Sequence, residues 1–235
     1  MREELHALLR DVAVVRRECV AGRDFVHATL ASTPVVLVLA GIGKVAAATT
    51  TALLLDRCAV DAVLFTGVAG GLAAEVGVGD VLVATELLQH DLDASPLFPR
   101  YEVPLTGRAR FATDPAWSAR LAAAALAVLA APPSALRRLG RNTPPRLHRG
   151  LVVSGDCFVA SAAASDGLRA ALPDALGVDM ESAAAAQVCA DFNRPCAVLR
   201  SVSDRADASA PVDFNRFVAE VAAEFTRDIV QRALA

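Results

Sequence analysis

The sequence has no excess of basic residues. Its 23 Lys and Arg stand against 26 Asp and Glu, a formal charge of −3 with His neutral. A nucleic-acid binder needs cations to neutralise phosphates, so that class is set aside. It has no uninterrupted apolar run of the roughly 20 residues that a membrane-spanning helix requires. The two longest uncharged stretches, 25–43 and 121–136, are broken, the first by His27, Ser32, Thr33, Pro34 and two glycines, the second by Pro132 and Pro133. The opening MREELHALLRD is charged throughout and does not read as a signal peptide. The five cysteines are odd in number and form no CxxC pair. They read as buried thiols of a cytoplasmic protein, not as a disulfide framework. Several catalytic signatures are absent too. There is no GxGxxG or GxxxxGK[ST], no HExxH and no GxSxG. His6, His27, His90 and His148 show no metal-ligand spacing. His90 and Asp91, beside Asp93, read as a loop hydrogen-bond pair, and Cys157 lacks the neighbours of a nucleophile.

What is present is a chain of 235 residues with 54 % hydrophobic and 21 % charged residues, too apolar for disorder. It suits one large domain spanning 1–235. Strand-like apolar runs fall at 25–30, 35–39, 62–66, 80–85, 151–154, 176–180 and 197–203. Several are continuous rather than alternating, the pattern of strands covered on both faces. Helical stretches lie at 44–58, 116–131, 165–171, 181–191 and 212–234. Strands alternating with helices predict an α/β sandwich with a largely parallel sheet. The Pro- and Arg-rich stretch 131–147 reads as an exposed loop.

Ligands of such sheets sit beyond the carboxyl ends of the strands. Gly41-Ile42-Gly43-Lys44 lets the backbone turn tightly into a helix N-terminus. Thr66-Gly67-Val68-Ala69-Gly70-Gly71 offers a surface that a flat ring or a sugar can approach closely. Both are also compatible with plain turns. Asp179-Met180-Glu181 ends an apolar strand where a helix begins. Glu181 there either complements the helix dipole or accepts hydrogen bonds from vicinal hydroxyls. Ser203-Asp204 ends the strand CAVLRSVS. A desolvated Asp204 has a raised pKa and serves as a general acid; otherwise it caps a turn. Phe158 is either core or a stacking platform.

Taken together and in order, MREEL, GIGKVAAA (41–48), TGVAGGL (66–72), VGDVLVA (78–84), QHDLDA (89–94), VSGDCFV (153–159), GVDMESAAAAQVC (177–189) and RSVSDRAD (200–207) resemble the 5′-methylthioadenosine/S-adenosylhomocysteine nucleosidases of the purine nucleoside phosphorylase superfamily. The resemblance implies a three-layer α/β/α sandwich with a mixed, largely parallel central sheet, and hydrolysis of an N-glycosidic bond. Asp204 would protonate N7 of adenine, with Ser203 orienting it. Glu4 would activate water. Glu181 would bind the ribose hydroxyls beside Met180. Phe158 would stack on adenine and the Val159 backbone would read its edge. Val68, Ala69 and Gly70 would line the site, and Ile42, Phe214 and, from a neighbouring subunit, Leu97 or Phe98 would hold the 5′ group. The resemblance implies no metal or organic cofactor, a small 5′-thio-substituted adenosine as ligand, and a homodimer. Apolar Pro96-Leu97-Phe98 suits such an interface. Relatives carry a strand ahead of the M-x-E-E motif. This sequence begins at that Met, so the first strand is expected to be missing and Glu4 to lie on a loose terminus. The stretch 131–147 is an insertion.

Three other readings compete. A nucleoside phosphorylase needs Arg and a hydroxyl at the Gly-rich loop, where Val68 offers none and neither GIGK nor TGVAGG contains an Arg. A hydrolase of another 5′-substituted nucleoside, such as futalosine, would share Asp204 and Glu181. A non-catalytic nucleoside-binding protein would bind without releasing adenine.

Overall fold

Two sheets of unequal burial organise the chain in the computed structural model, which describes residues 1–131 and 144–235, the side chains at 212, 219 and 220 excepted. The expected exposed loop falls mostly on residues 132–143, outside the described residues. The chain opens with α1 (Arg2–Arg10), whose buried residues Glu4, Ala7 and Leu8 recur at helical spacing. They pack inward, Leu8 against Leu30, Val230 and Leu234. Glu4 is therefore fixed on a packed helix and not on a loose end. A three-stranded antiparallel meander follows: β1 (Ala13–Val20), β2 (Arg23–Leu30) and β3 (Thr33–Leu37). β1 was not anticipated. Its residues are mostly exposed and include Arg16, Arg17 and Glu18, so it lacks the apolar run used to find strands.

The larger sheet has the order β6-β5-β7-β8-β4-β9. Its strands are β4 (Val63–Gly71), β5 (Val81–Gln89), β6 (Arg110–Ala112), β7 (Leu147–Ser154), β8 (Ala175–Asp179) and β9 (Cys196–Asp204). The pairs β5–β7, β7–β8 and β4–β9 are parallel; β5–β6, β4–β8 and β5–β9 are antiparallel. The last pair, Val81–Val83 against Leu199–Ser201, closes the ladder on itself. Helices cover both faces. On one side α2 (Lys44–Arg57) and α5 (Ser182–Asp191) meet Phe65, Leu82 and Val198. On the other, α3 (Pro115–Ala130) and α7 (Ala223–Leu234) meet Val81, Val83 and Leu199. This is the expected α/β architecture with a mixed sheet. α4 (Ala162–Ala171) packs beside β7. The stretch 212–234, expected as one helix, is divided into α6 (Ala210–Phe217), a π-helical turn (Val218–Ala222) and α7.

One boundary matters for the site. β4 does not stop at Thr66 but runs through the Gly-rich segment to Gly71. Gly70 pairs with Asp204 on one side and Val178 on the other, and Gly71 pairs with Gly177. A Cβ on Gly71 would meet Val76 at 3.1 Å, so small residues let three strands converge here. Every residue of β9 is buried, which carries Arg200, Ser203 and Asp204 inward on a rigid element.

Candidate functional site

The turn after β3 needs glycine. Gly41 and Gly43 have φ of 87° and 89°, a region that residues with a Cβ rarely enter. The second of them donates its backbone N–H to Glu181 Oε1 at 3.0 Å. Glu181 sits at the start of α5, directly after β8. Its other oxygen lies 3.5 Å from Arg200 Nη2. Burial pushes its carboxyl above the ordinary range; Arg200 acts against this, and Asp179 adds to it.

Beneath Glu181 lies a fully bonded polar network. Asp179 accepts from Arg200 Nε at 2.8 Å, from Ser154 Oγ at 2.5 Å, from the backbone N–H groups of Glu181 and Ser182 at 3.1 Å, and from the Ser182 hydroxyl. Arg200 also donates to Ser182 Oγ from Nε at 3.0 Å and Nη2 at 2.8 Å. Its guanidinium stacks over Phe65 at 5.0 Å. Ser154 accepts from the N–H of Ala183 at 2.8 Å. Such a network, satisfied at each member, fixes the carboxylate above it. It also explains Gly67. A Cβ there would come within 1.8 Å of Arg200 Nη1, so a bare backbone leaves room for the guanidinium.

Asp204, at the end of β9, is wired differently. It accepts from the Ser203 hydroxyl at 2.8 Å and from the Ala206 N–H at 2.8 Å. Ser203 also lies 3.3 Å from the Ala69 carbonyl. A Cβ on Gly70 would sit 2.9 Å from Asp204 Oδ1. Burial raises the Asp204 pKa, and the negative charges of Asp213 and Asp207 add to this; the two hydrogen bonds only partly offset it. No cation stands within ion-pair distance of Asp204 among the described residues.

Glu4 accepts from Thr226 Oγ1 at 2.8 Å and from the Met1 amino group at 2.8 Å. Together with Glu181, Arg200, Ile42, Gly67 and Val68 it lines a cleft of about 1110 Å³. Asp204 and Phe158 lie outside that lining. The two zones meet through the β4–β9 ladder, where Val68 pairs with Ser201 and Gly70 with Asp204. Phe158 is 44 % exposed and meets Phe214 edge to face, ring centroids 5.7 Å apart. Val159 is buried with Val178 and Ala206, so its side chain is core. Met180 is half-buried between Asp179 and Glu181, and Ile42 is 72 % exposed beside Gly43. Leu97 is 84 % exposed in the loop after β5 and is not joined to the others within one chain. In the His90–Asp93 loop, Asp91 takes the Lys44 ammonium at 2.6 Å and the Asp156 N–H at 2.9 Å, and Asp93 takes Ser95.

Arg200 and Asp179 lie in strand-end motifs read from the sequence but were given no role there, though a signal existed. An Arg inside the apolar run CAVLRSVS must be paired if that strand is buried. Arg200 also reaches the Gly-rich segment across the sheet, although TGVAGG itself contains no Arg. Its Nε and Nη2 are engaged by Asp179, Ser182 and Glu181.

The family model described as the Phosphorylase superfamily matches residues 1–235. A 5′-methylthioadenosine/S-adenosylhomocysteine nucleosidase of Anoxybacillus flavithermus is 37 % identical over 98 % of this chain and 93 % of its own length. The Neisseria meningitidis nucleosidase of the same name, solved with methylthio-immucillin-A, is 34 % identical, with a TM-score of 0.85 over 99 % of this chain and 94 % of that one. The futalosine hydrolase of Helicobacter pylori is 30 % identical, with a TM-score of 0.84 over 99 % of this chain and 93 % of that one. On these matches the chain belongs to the 5′-methylthioadenosine/S-adenosylhomocysteine nucleosidase family of the phosphorylase superfamily.

Proposed function

We propose that the protein hydrolyses the N-glycosidic bond of 5′-methylthioadenosine and S-adenosylhomocysteine, releasing adenine and the thio-substituted ribose. The observation that carries this is the contrast between two carboxylates, one buried and one half-buried, at one end of the sheet. Asp204 is held toward its neutral form by burial and neighbouring acids. Glu181 faces Arg200 and a backbone N–H.

Breaking the bond sends electrons into the purine and leaves oxocarbenium character on the ribose. Asp204 protonates N7 and so neutralises the leaving group, with Ser203 fixing the carboxyl. Glu181 accepts from the 2′- and 3′-hydroxyls. Glu4 takes a proton from the water that captures C1′. General acid and general base each contribute typically about 10²–10⁴-fold; positioning and electrostatic stabilisation supply the rest. Phe158 stacks on the base, whose edge meets the Val159 backbone. Val68, Ala69 and Gly70 form the floor. Met180, Ile42 and Phe214 form the apolar wall for the 5′ group. Exposed Leu97 completes that wall from the second subunit of a homodimer. The protein works in the cytoplasm.

Phosphorolysis is disfavoured by Val68, which offers no hydroxyl at the Gly-rich segment, and by Arg200, whose Nε and Nη2 already serve Asp179, Ser182 and Glu181. The likeness to a futalosine hydrolase keeps a second substrate class in view, since both reactions draw on the same acid and ribose-binding carboxylate. The test is adenine release from 5′-methylthioadenosine, with and without phosphate. Phosphate-independent release with free methylthioribose is expected. A phosphate requirement with a sugar 1-phosphate product overturns hydrolysis. Turnover of futalosine alone reassigns the 5′ group.

A further inference from the structure

One helix beside the site buries a single residue, and that residue is polar. α4 leaves Leu168 and Arg169 half-buried and buries only Ser165, at 0 % exposure. An apolar side chain is the ordinary occupant of such a position, so a serine there needs a partner. Serine inside a helix commonly donates to the carbonyl four residues back. Here that carbonyl, of Ser161, lies at 3.2 Å, and the carbonyl of Ala206, in the turn after β9, lies at 2.5 Å. A hydroxyl has one proton to give, and the shorter contact takes it. Ala206 is fully buried and has a φ of 52°, a left-handed conformation that alanine keeps only where its surroundings impose it. The same residue donates its N–H to Asp204 Oδ1 at 2.8 Å. α4 is itself held against the end of β4, because Arg169, one turn beyond Ser165, donates from Nε to the Leu72 carbonyl at 2.7 Å.

We propose that Ser165 is a positioning residue for Asp204: from α4 it holds the Ala206 carbonyl, so that the left-handed turn after β9 keeps its N–H on the carboxyl. Ser165 acts through Ala206 and not by contact with the acid. Gly70 leaves the space that the turn needs, since a Cβ on it would stand 3.1 Å from the Ala206 Cβ and 2.9 Å from Asp204 Oδ1. The turn also joins the acid to the segment around Phe158, because Ala206 packs in one cluster with Val159, Val178 and Leu72. Without the hydroxyl, nothing from α4 holds the Ala206 peptide, and relaxation of the strained φ swings its N–H off Asp204. That N–H favours the carboxylate over the neutral acid. Its loss therefore has two effects, a carboxyl less firmly oriented and a proton held more tightly. The charged groups that face Asp204 are Asp207 in the same turn and Asp213 of α6, and the hydroxyl of Ser165 bonds neither. The effect on turnover rests on the reading of Asp204 as the proton donor; the effect on the titration of Asp204 does not.

The test is Ser165→Ala, with Ser165→Cys as the milder variant, since a thiol is only a weak donor. Two readouts are taken on each. The first is the titration of Asp204, followed by NMR with 13C-labelled Asp carboxyl carbons and assigned by the resonance that Asp204→Asn lacks. The second is adenine release from 5′-methylthioadenosine as a function of pH. In Ser165→Ala the Asp204 titration is expected to move to higher pH. The alkaline limb of kcat/KM, which reports the free enzyme, should move with it. Below that limb kcat is expected to fall about 10- to 100-fold from lost orientation, with KM little changed. Ser165→Cys should move both readouts in the same direction by less, and it carries the test if the alanine variant does not fold. A lower Tm with an unmoved titration and an unmoved limb, in either folded variant, makes Ser165 a packing residue and overturns the proposal. So does a limb that moves while the Asp204 resonance does not. A titration that moves although wild type releases no adenine upholds the positioning of Asp204 and counts against the proposed activity instead.

Discussion

Asp204 and Glu181 are both carboxylates at strand ends on one side of the same sheet, Asp204 buried and Glu181 half-buried, and burial pushes both upward. Their surroundings differ in charge. Glu181 has a guanidinium at 3.5 Å and a backbone N–H at 3.0 Å. Asp204 has a hydroxyl, a backbone N–H and the fields of Asp207 and Asp213. Burial alone therefore does not assign a role. The neighbouring charge does: a cation keeps one carboxyl an acceptor, and further anions make the other a proton donor.

The sharpest way to break this comparison is Asp204→Asn. The amide keeps the shape and loses the transferable proton, so kcat is expected to fall by about 10²–10⁴. Binding of an inert adenosine analogue, measured by calorimetry, should change little. Equal loss of both would make Asp204 structural. Next comes Arg200→Met. It removes the cation between Asp179 and Glu181 and leaves buried charge uncompensated, at a cost of about 3–5 kcal/mol. A denaturant titration reads this directly, and a loss below 1 kcal/mol would mean the network holds without the guanidinium. Smaller again is Glu181→Gln. It trades a charged acceptor for a neutral one, about 1.5–3 kcal/mol of binding. The effect belongs in KM when chemistry is slow; a loss confined to kcat would move Glu181 into the chemical step.

Much of this contrast was legible in the sequence, because both carboxylates end apolar runs and strand ends of α/β sheets hold ligands. β9 and α2 were found nearly at their observed limits, since each is a long uniform pattern. β1 was not, because an exposed strand with Arg16, Arg17 and Glu18 has no apolar signature. The course of β4 through Gly67–Gly71 was hidden because glycines there read as turn residues. Their need arises from atoms distant in sequence: Arg200 above Gly67 and Asp204 beside Gly70. Glu4 was located by motif, but its anchor, Thr226, lies 222 residues away. Pairings across the sheet decide these points, and no local pattern encodes them.

The smallest expected effect sharpens the comparison most finely, because it reads charge rather than activity. Asp204 has a folded-state pKa above its unfolded value. The folded chain thus holds that proton more tightly than the unfolded one does. The resulting stability is complete below the unfolded value of about 3.9 and is lost as pH rises through the folded pKa. Asp204→Asn carries no such proton. Its Tm relative to wild type is therefore expected to increase as pH rises from 5 to 8, with a gain at neutral pH. Burial raises the Glu181 pKa as well, while Arg200 and the Gly43 N–H act against it, so Glu181→Gln is expected to shift Tm in the same direction with pH but by less. The same Asp204 ionisation removes the acid, so kcat/KM should fall on the alkaline side with the pKa that the stability difference reports. If the Glu181 variant gains as much with pH as the Asp204 variant, the neighbouring charges do not distinguish the carboxylates, and the assignment of donor and acceptor fails with them.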